Sequence, residues 1–220
     1  MKNSISLSSL LLFVIPTLTL LICHQMHANY TSIITIPFID GKVSISLIGR
    51  QDYTIKIFKP GFFIYAIISI FFYYELSNYA LKNGIKNKFK LYGILANFFL
   101  CIYIIALGNR ESNFYEIARR LAIIFYILNM YINHIYLIKI LKNLKIKKKI
   151  NLKKIYLVIF YIILSLMTIL IIIGSPWINP LFKYPYELKN IIEWNYFFLI
   201  IVFYIPVAII FSKFNKKILR

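Results

Sequence analysis

Long apolar runs, separated by short polar segments, dominate the chain from end to end. Six runs have the length that a bilayer-spanning helix needs, because a hydrocarbon core about 30 Å thick takes roughly 20 residues of helix. We predict spans at 7–23, 61–81, 91–108, 121–140, 155–174 and 194–211. The runs show no period-two alternation, which argues against an outer-membrane barrel. The pattern predicts an all-α polytopic membrane protein with a single six-helix domain over residues 1–220.

The segment between the first two runs, residues 30–57, has a different pattern. Val43, Ile45 and Leu47 alternate with two serines, as in a half-buried strand. Asp40 and Gly41 separate two runs rich in β-forming residues, and this pair suits a type I′ turn. We therefore predict a small β-hairpin that caps the outer end of the bundle, which a third short strand at 53–57 would extend.

Composition narrows the class of protein. The chain is 60% hydrophobic and 15% charged, whereas soluble domains are roughly 45–50% apolar and about a quarter charged. Two cysteines exclude a disulfide-built scaffold and a multi-cysteine metal site, and the sequence predicts neither a metal nor a cofactor. Lys2 precedes the first run as it would in a signal peptide. The length of the run and the poor cleavage site at 26–28 favour a retained anchor.

The distribution of positive charge predicts the orientation. The chain carries a net charge of +19. With the N-terminus inside, 17 of the 26 basic residues lie in inner segments, and the loop after the fourth span has eight lysines and no acid. Both termini are therefore predicted to be cytoplasmic. These lysines set the topology, and they also suit anionic membrane lipids as partners. Nucleic acid is not expected, because the basic residues line several membrane edges rather than one folded face.

Candidate acid and base groups gather on the outer side, together with two of the three histidines. They are Glu116, Glu187, Glu193, His24 and His27. Carboxylates and histidines at one membrane face can carry acid–base catalysis, but interfacial polar residues that mark helix ends are the favoured interpretation. No pair on one helix has the spacing of metal ligands, so no metal site is predicted.

Arg119, Arg120 and Trp194 are the candidates for contact with lipid head groups. Arginine offers a planar fork that suits phosphate, and tryptophan is favoured at the membrane–water interface. Glu116 lies one helical turn before Arg120, so the two can also form an ion pair. The sequence leaves two alternatives for Arg120, an ion pair with Glu116 and a contact with a lipid head group.

The fourth span carries Asn129, Asn133 and His134 within its apolar run. Polar groups at such depth must face the protein interior or a cavity. Hydrogen bonds between helices are the favoured explanation, ahead of a role in transport or catalysis.

Three short motifs resemble those of a known family. Ile45-Ser46-Leu47-Ile48-Gly49, Ile57-Phe58-Lys59-Pro60-Gly61 and Glu193-Trp194 resemble motifs of the DRAM, Sfk and FGF-receptor-activating protein family. Its relatives include a factor for remodelling GPI-anchor lipids. The chain departs from the family at 50–52, which lacks a Pro-Pro-Glu stretch, and at Glu116, where the family favours a histidine. The resemblance implies a lipid-related membrane protein without established catalysis.

The sequence thus leads to three hypotheses for function. The first is a non-catalytic role in lipid handling, membrane organisation or lipid remodelling, which the resemblance favours. The second is a membrane enzyme that acts on lipid head groups at the outer face. The third, and the weakest, is a small permease, since the chain has no detectable repeat and few charges inside its spans.

Overall fold

A computed structural model describes residues 1–32, 35–108, 113–175, 181 and 184–213. In this part of the chain the helices are α1 Lys2–Thr31, α2 Ile45–Gly49, α3 Ile55–Lys82, α4 Phe89–Ala106, α5 Asn113–Ile146, α6 Lys154–Ile173, α7 Pro185–Val202 and α8 Tyr204–Lys213. Six helical units are long and apolar enough to cross a membrane, with α7 and α8 together forming the sixth. The predicted six-span helical membrane protein is confirmed.

Proline explains why the sixth unit is divided. Pro206 lies in the third position of α8. A proline inside a helix has no N–H to donate, and its ring clashes with the carbonyl group four residues earlier. That carbonyl belongs to Val202, the last residue of α7. The helix therefore breaks at Phe203 and resumes at Tyr204.

The main helix contacts form a closed circuit. α1 packs against α3, α3 against α4, and α4 against α5. α6 then bridges α5 and α7, and α8 returns to α1. Small residues allow two of the close contacts, because a Cβ atom on Gly61 would overlap Thr19 and one on Gly93 would overlap the ring of Tyr73. These two glycines hold α3 between α1 and α4.

Large aromatic side chains fill the centre of the circuit. Tyr65, Tyr73, Tyr126 and Tyr204 are almost fully buried. Their hydroxyl groups pair, with 3.0 Å between those of Tyr73 and Tyr204 and 3.4 Å between those of Tyr65 and Tyr126. A buried tyrosine hydroxyl needs such a partner. The tyrosines thus link α3 to α5 and to α8.

The predicted β-hairpin cap is wrong, because the described residues of this segment contain no strand. Residues 36–40 form a turn in which the Asp40 carboxylate accepts hydrogen bonds from the backbone N–H groups of Ile36 and Lys42. Gly41 has the positive φ, 62°, that a type I′ turn requires, but Asp40 does not, so the predicted turn type is wrong. The hydroxyl of Ser44 then caps α2 by accepting the N–H of Leu47 at 3.0 Å.

The hairpin prediction was wrong because the apolar positions of this segment fit both the two-residue repeat of a strand and the three-to-four-residue repeat of a helix. Val43, Ile45 and Leu47 fit a strand, but Leu47 is only partly buried, and within α2 the buried residues are Ile45, Ile48 and Gly49. Their spacing of three and four residues is that of a helix face. Ser44, which the strand prediction placed facing outward, is the N-cap of α2, and serine is a preferred residue at that position.

The two ends of the bundle differ in character. The end that carries residues 35–54 is called the loop end, and the end that carries the turn between α5 and α6 is called the lysine end. The Lys2 side chain donates to the carbonyl of Lys149 at 3.4 Å, so the chain begins at the lysine end. The side of the membrane that each end faces stays a prediction.

Candidate functional site at the loop end

Four side chains of α7 hold the loop-end segment against the bundle. Asn190 donates to the carbonyl of Gly41 at 2.7 Å, and Asn195 donates to the carbonyl of Phe38 at 3.0 Å. The indole N–H of Trp194 donates to the carbonyl of Val43 at 2.8 Å, and Glu193, described next, is the fourth. Because these bonds end on backbone atoms, they fix the path of the segment whatever its side chains.

Glu193 connects α7 to α2. Its Oε1 accepts the backbone N–H of Ser46 at 3.0 Å. This N–H belongs to the first turn of α2, where such groups have no partner within the helix. The carboxylate thereby satisfies one donor of a five-residue helix. A negative charge at this position is also favoured by the helix dipole.

Positive charge surrounds Glu193. Lys189, Arg119 and Arg50 all act electrostatically on its carboxylate. Arg119 and Arg50 also act on the hydroxyl of Tyr103, as does Glu193. The fold therefore brings together the end of α2, the end of α4, the start of α5 and α7. We call Arg50, Tyr103, Arg119 and Glu193 the loop-end cluster.

Arg119 and Arg120 do not point to one site. Neighbouring residues on a helix lie on different faces. Arg119 is partly buried and acts on Glu193, whereas Arg120 forms an ion pair with Glu116 and its side chain is 71% exposed. The predicted ion pair is thus observed, and the two arginines have different neighbours in the structure.

The two outer histidines already have hydrogen-bond partners. The ring of His24 lies 2.9 Å from the hydroxyl of Thr35 and packs edge-on against Trp194. The ring of His27 lies 2.7 Å from the hydroxyl of Tyr53. Tyr53 stacks on Tyr30, and burial together with that neighbour raises the pKa of Tyr53 above its ordinary value. Both histidines thus bind the connecting segments to the end of α1.

The remaining candidates are placed less centrally. Glu187 is exposed in the first turn of α7, and its backbone carbonyl lies against Gly41. Trp194 is only 4% exposed, and its N–H is used by Val43. It therefore positions the loop rather than presenting its ring to the interface. Where side chains are described, no group of three His, Cys, Asp or Glu residues is placed to hold a metal ion.

The sequence singled out Glu193 and Arg119 as candidates, but not their neighbours Arg50 and Tyr103 or the two asparagines of α7. Arg50 lies about 140 residues before Glu193 along the chain, and no local pattern links residues so distant. The signal for Asn190 was available, because it lies near the start of an apolar helix at the same end as Glu193. A polar side chain there is suited to bind a neighbouring loop.

A second polar group lies inside the bundle. Asn129 donates to the carbonyl of Phe125 in its own helix, so the predicted interhelical hydrogen bond is wrong for this residue. Asn133 and His134 are buried, and neither makes a hydrogen bond of normal geometry to the described residues. The His134 ring packs 4.1 Å from the ring of Phe203. Interhelical hydrogen bonding therefore does not account for His134.

Comparison of the chain with family models, with curated proteins and with solved structures finds no match.

Proposed function

We propose that this integral membrane protein has a non-catalytic, lipid-related role and binds the phosphate of a lipid head group at the loop-end cluster. The observation that carries the proposal is the local charge. Three cations, Arg50, Arg119 and Lys189, act on the single carboxylate of Glu193. Arg50 and Arg119 are partly buried and Lys189 is exposed, so the positive charge is accessible from outside the bundle. A bound phosphate would supply the negative charge that Glu193 alone does not.

The chemistry of the cations favours phosphate over a simple anion. A guanidinium group offers parallel N–H donors that match two phosphate oxygens. Arg50 follows α2 directly as its C-cap and Arg119 lies in α5, and both act electrostatically on the same carboxylate. Glu193 fixes α2 through Ser46, and so it positions the segment that carries Arg50. In this proposal Arg50 and Arg119 bind the phosphate, and Glu193 and Trp194 position the loop-end segment.

The start of α5 supports a location at head-group depth. Phe114 is 73% exposed, and the ion pair of Glu116 and Arg120 lies one turn further along the helix. Exposed aromatic side chains beside arginines are typical of the membrane–water interface. The resemblance to the DRAM, Sfk and FGF-receptor-activating protein family stays a prediction, and it agrees with a lipid-related role.

Lipid binding by matched arginine variants tests the proposal. Arg119→Gln and Arg120→Gln are adjacent on α5 and remove the same charge, but only Arg119 acts on Glu193. Native mass spectrometry of the full chain with added phosphatidic acid should show binding weakened roughly tenfold by Arg119→Gln and by Arg50→Gln. Arg120→Gln should leave binding within about twofold, because its exposed ion pair contributes little.

Three outcomes separate this proposal from its alternatives. Equal loss in Arg119→Gln and Arg120→Gln would show general surface attraction and overturn the cluster. Equal binding of diacylglycerol, which lacks the phosphate, would overturn head-group recognition. Conversion of phospholipid by the wild-type protein in vesicles, abolished by Glu193→Gln, would replace the binding role by the enzyme hypothesis, since glutamine keeps the hydrogen bond to Ser46 but cannot act as a base.

A further inference from the structure

An open groove lies between α5 and α6 towards the lysine end. Its volume is about 310 Å³, comparable to the smaller pockets that bind small molecules. The residues that line it include Ile135, Ile138, Lys139, Lys142, Tyr161 and Leu164. We call this feature the α5–α6 groove. It lies near the opposite end of α5 from the loop-end cluster.

The groove follows from how the two helices meet. α5 makes its main contacts with α4, and only a few with α6. The α5 positions in the groove are 135, 138, 139, 142, 143 and 146, which follow the i, i+3, i+4, i+7 pattern of a single helix face. On α6 the fully buried side chains are limited to Phe160, Ile163 and Met167. Because α6 packs only sparsely against this stripe of α5, an open groove is left between the two helices.

The groove carries its two lysines towards the lysine end, where Asn143 and Ile146 also line it, and it is apolar further along. Lys142 lies one turn before the end of α5 and donates to the hydroxyl of Tyr161 at 3.1 Å. Lys139 is one turn deeper on the same stripe. Still deeper, the lining is formed by Ile135 and Ile138 on α5 and by Leu164 on α6. Two cations above an apolar channel match the form of a phospholipid, with a charged head and a hydrocarbon chain.

The role of lysines in setting membrane orientation does not by itself explain why Lys139 and Lys142 lie on the groove face of α5. Any lysines beyond the spans would serve for orientation, and the 139–154 segment offers eight without an acid. Lys139 and Lys142, however, lie within α5, on the stripe that faces the groove. The hydrogen bond to Tyr161 directs the Lys142 ammonium across the groove towards α6. Two lysine side chains on the groove face favour a ligand with negative charge at this depth.

We propose that the α5–α6 groove binds an anionic phospholipid of the adjoining leaflet. Its phosphate lies between Lys139 and Lys142, and one acyl chain runs along Ile135, Ile138 and Leu164. Charge complementarity selects an anionic over a zwitterionic lipid, because the lysine end attracts an anionic membrane surface. This site is separate from the loop-end cluster and does not depend on it.

Photo-crosslinking in vesicles tests the site directly. The full chain is reconstituted with phosphatidylglycerol that carries a diazirine in one acyl chain, and the labelled peptides are mapped after illumination. Adducts should concentrate in the groove segments of α5 and α6. Lys139→Gln with Lys142→Gln should reduce them roughly tenfold. The matched pair Lys145→Gln with Lys154→Gln removes the same charge from exposed positions outside the groove lining and should reduce them less than twofold.

A steric variant tests the acyl-chain path. Ile135→Trp fills the groove from an exposed position, whereas Ile124→Trp adds the same ring to an exposed position of α5 outside the lining. The first should lower crosslinking and the second should not. Equal loss in both lysine pairs, equal labelling by a matched phosphatidylcholine probe, or adducts spread over all spans would each overturn the proposal. Arg119→Gln should leave these adducts unchanged, so failure here and failure at the loop-end cluster are distinguishable.

Discussion

His134 illustrates at the scale of one residue how the bundle treats polar groups. It is 1% exposed, and both ring nitrogens lack a partner among the described residues. Asn97, also buried, accepts the hydroxyl of Ser69 at 2.6 Å and donates to the carbonyl of Gly93 at 3.0 Å. Asn97 is thus hydrogen-bonded through both its oxygen and its nitrogen, whereas His134 is bonded through neither ring nitrogen, although both residues lie inside membrane-spanning helices.

This difference predicts opposite effects on stability. His134→Phe keeps a ring against Phe203 and removes two unpaired nitrogens, so it should raise the free energy of unfolding by about 1 kcal/mol. Asn97→Leu removes the hydrogen bonds with Ser69 and Gly93, so it should lower the free energy of unfolding by about 0.6 kcal/mol or more. Thermal unfolding in detergent measures both. A less stable His134→Phe protein would mean that the imidazole binds something other than a protein group.

Trp194 gives a second prediction at this scale. Trp194→Phe retains the aromatic contacts with Phe38 and His24 but loses the N–H that bonds the carbonyl of Val43. We expect faster hydrogen exchange in residues 41–49 and unchanged exchange in α3, which the indole N–H does not contact. Unchanged exchange in 41–49 would show that packing alone holds the segment.

At the scale of an element, the docking of the loop-end segment depends on one glycine. Gly41 has a positive φ, and a Cβ there would also overlap the backbone carbonyl of Glu187. Gly84 has a similar φ of 68°, but its nearest neighbour is the flexible tip of Lys147. An alanine at either position would therefore carry the backbone strain of an L-residue at positive φ, about 1–2 kcal/mol. Only at Gly41 would its Cβ also overlap another backbone segment.

Gly41→Ala and Gly84→Ala together separate these two causes. Gly41→Ala should detach the segment from α7, with loss of exchange protection at Ser46 and weaker phosphatidic acid binding at the loop-end cluster. Gly84→Ala should lower stability by the strain alone and leave Ser46 protected. Similar exchange profiles for the two variants would contradict the close packing of Gly41 on α7.

Comparison of the elements with the sequence shows which patterns carry information. Hydropathy located every span, because burial in lipid imposes a length on each apolar run. It did not fix the helix ends, since α1 continues to Thr31 and α5 begins at Asn113, both in polar sequence. The segment at 43–49 was assigned wrongly because a short run fits both a strand and a helix. Its docking on α7 decides between them.

At the scale of the whole molecule, the sequence likewise predicted only part of the candidate sites. The sequence placed Arg119, Glu193 and Trp194 at one face, because all three lie near span ends on the same side. It could not pair Arg119 with Arg50 or separate it from Arg120, because these relations depend on helix rotation and on contacts between distant segments. The α5–α6 groove likewise arises from how two helices pack and has no signature in either helix alone.

The orientation of the bundle is the last prediction, and α5 offers a matched test. Asn113 begins α5 at the loop end, and Asn151 follows it in the turn at the lysine end; both are exposed. The 34-residue helix between them spans about 50 Å, more than the roughly 30 Å of a hydrocarbon core. In a chain with Cys23→Ala and Cys101→Ala, Asn113→Cys should react with an impermeant maleimide on intact cells. Asn151→Cys should react only after permeabilisation, because the lysines beside it are retained on the cytoplasmic side. The reverse labelling would invert the topology, place the α5–α6 groove in the outer leaflet and move the loop-end cluster to the cytoplasmic face.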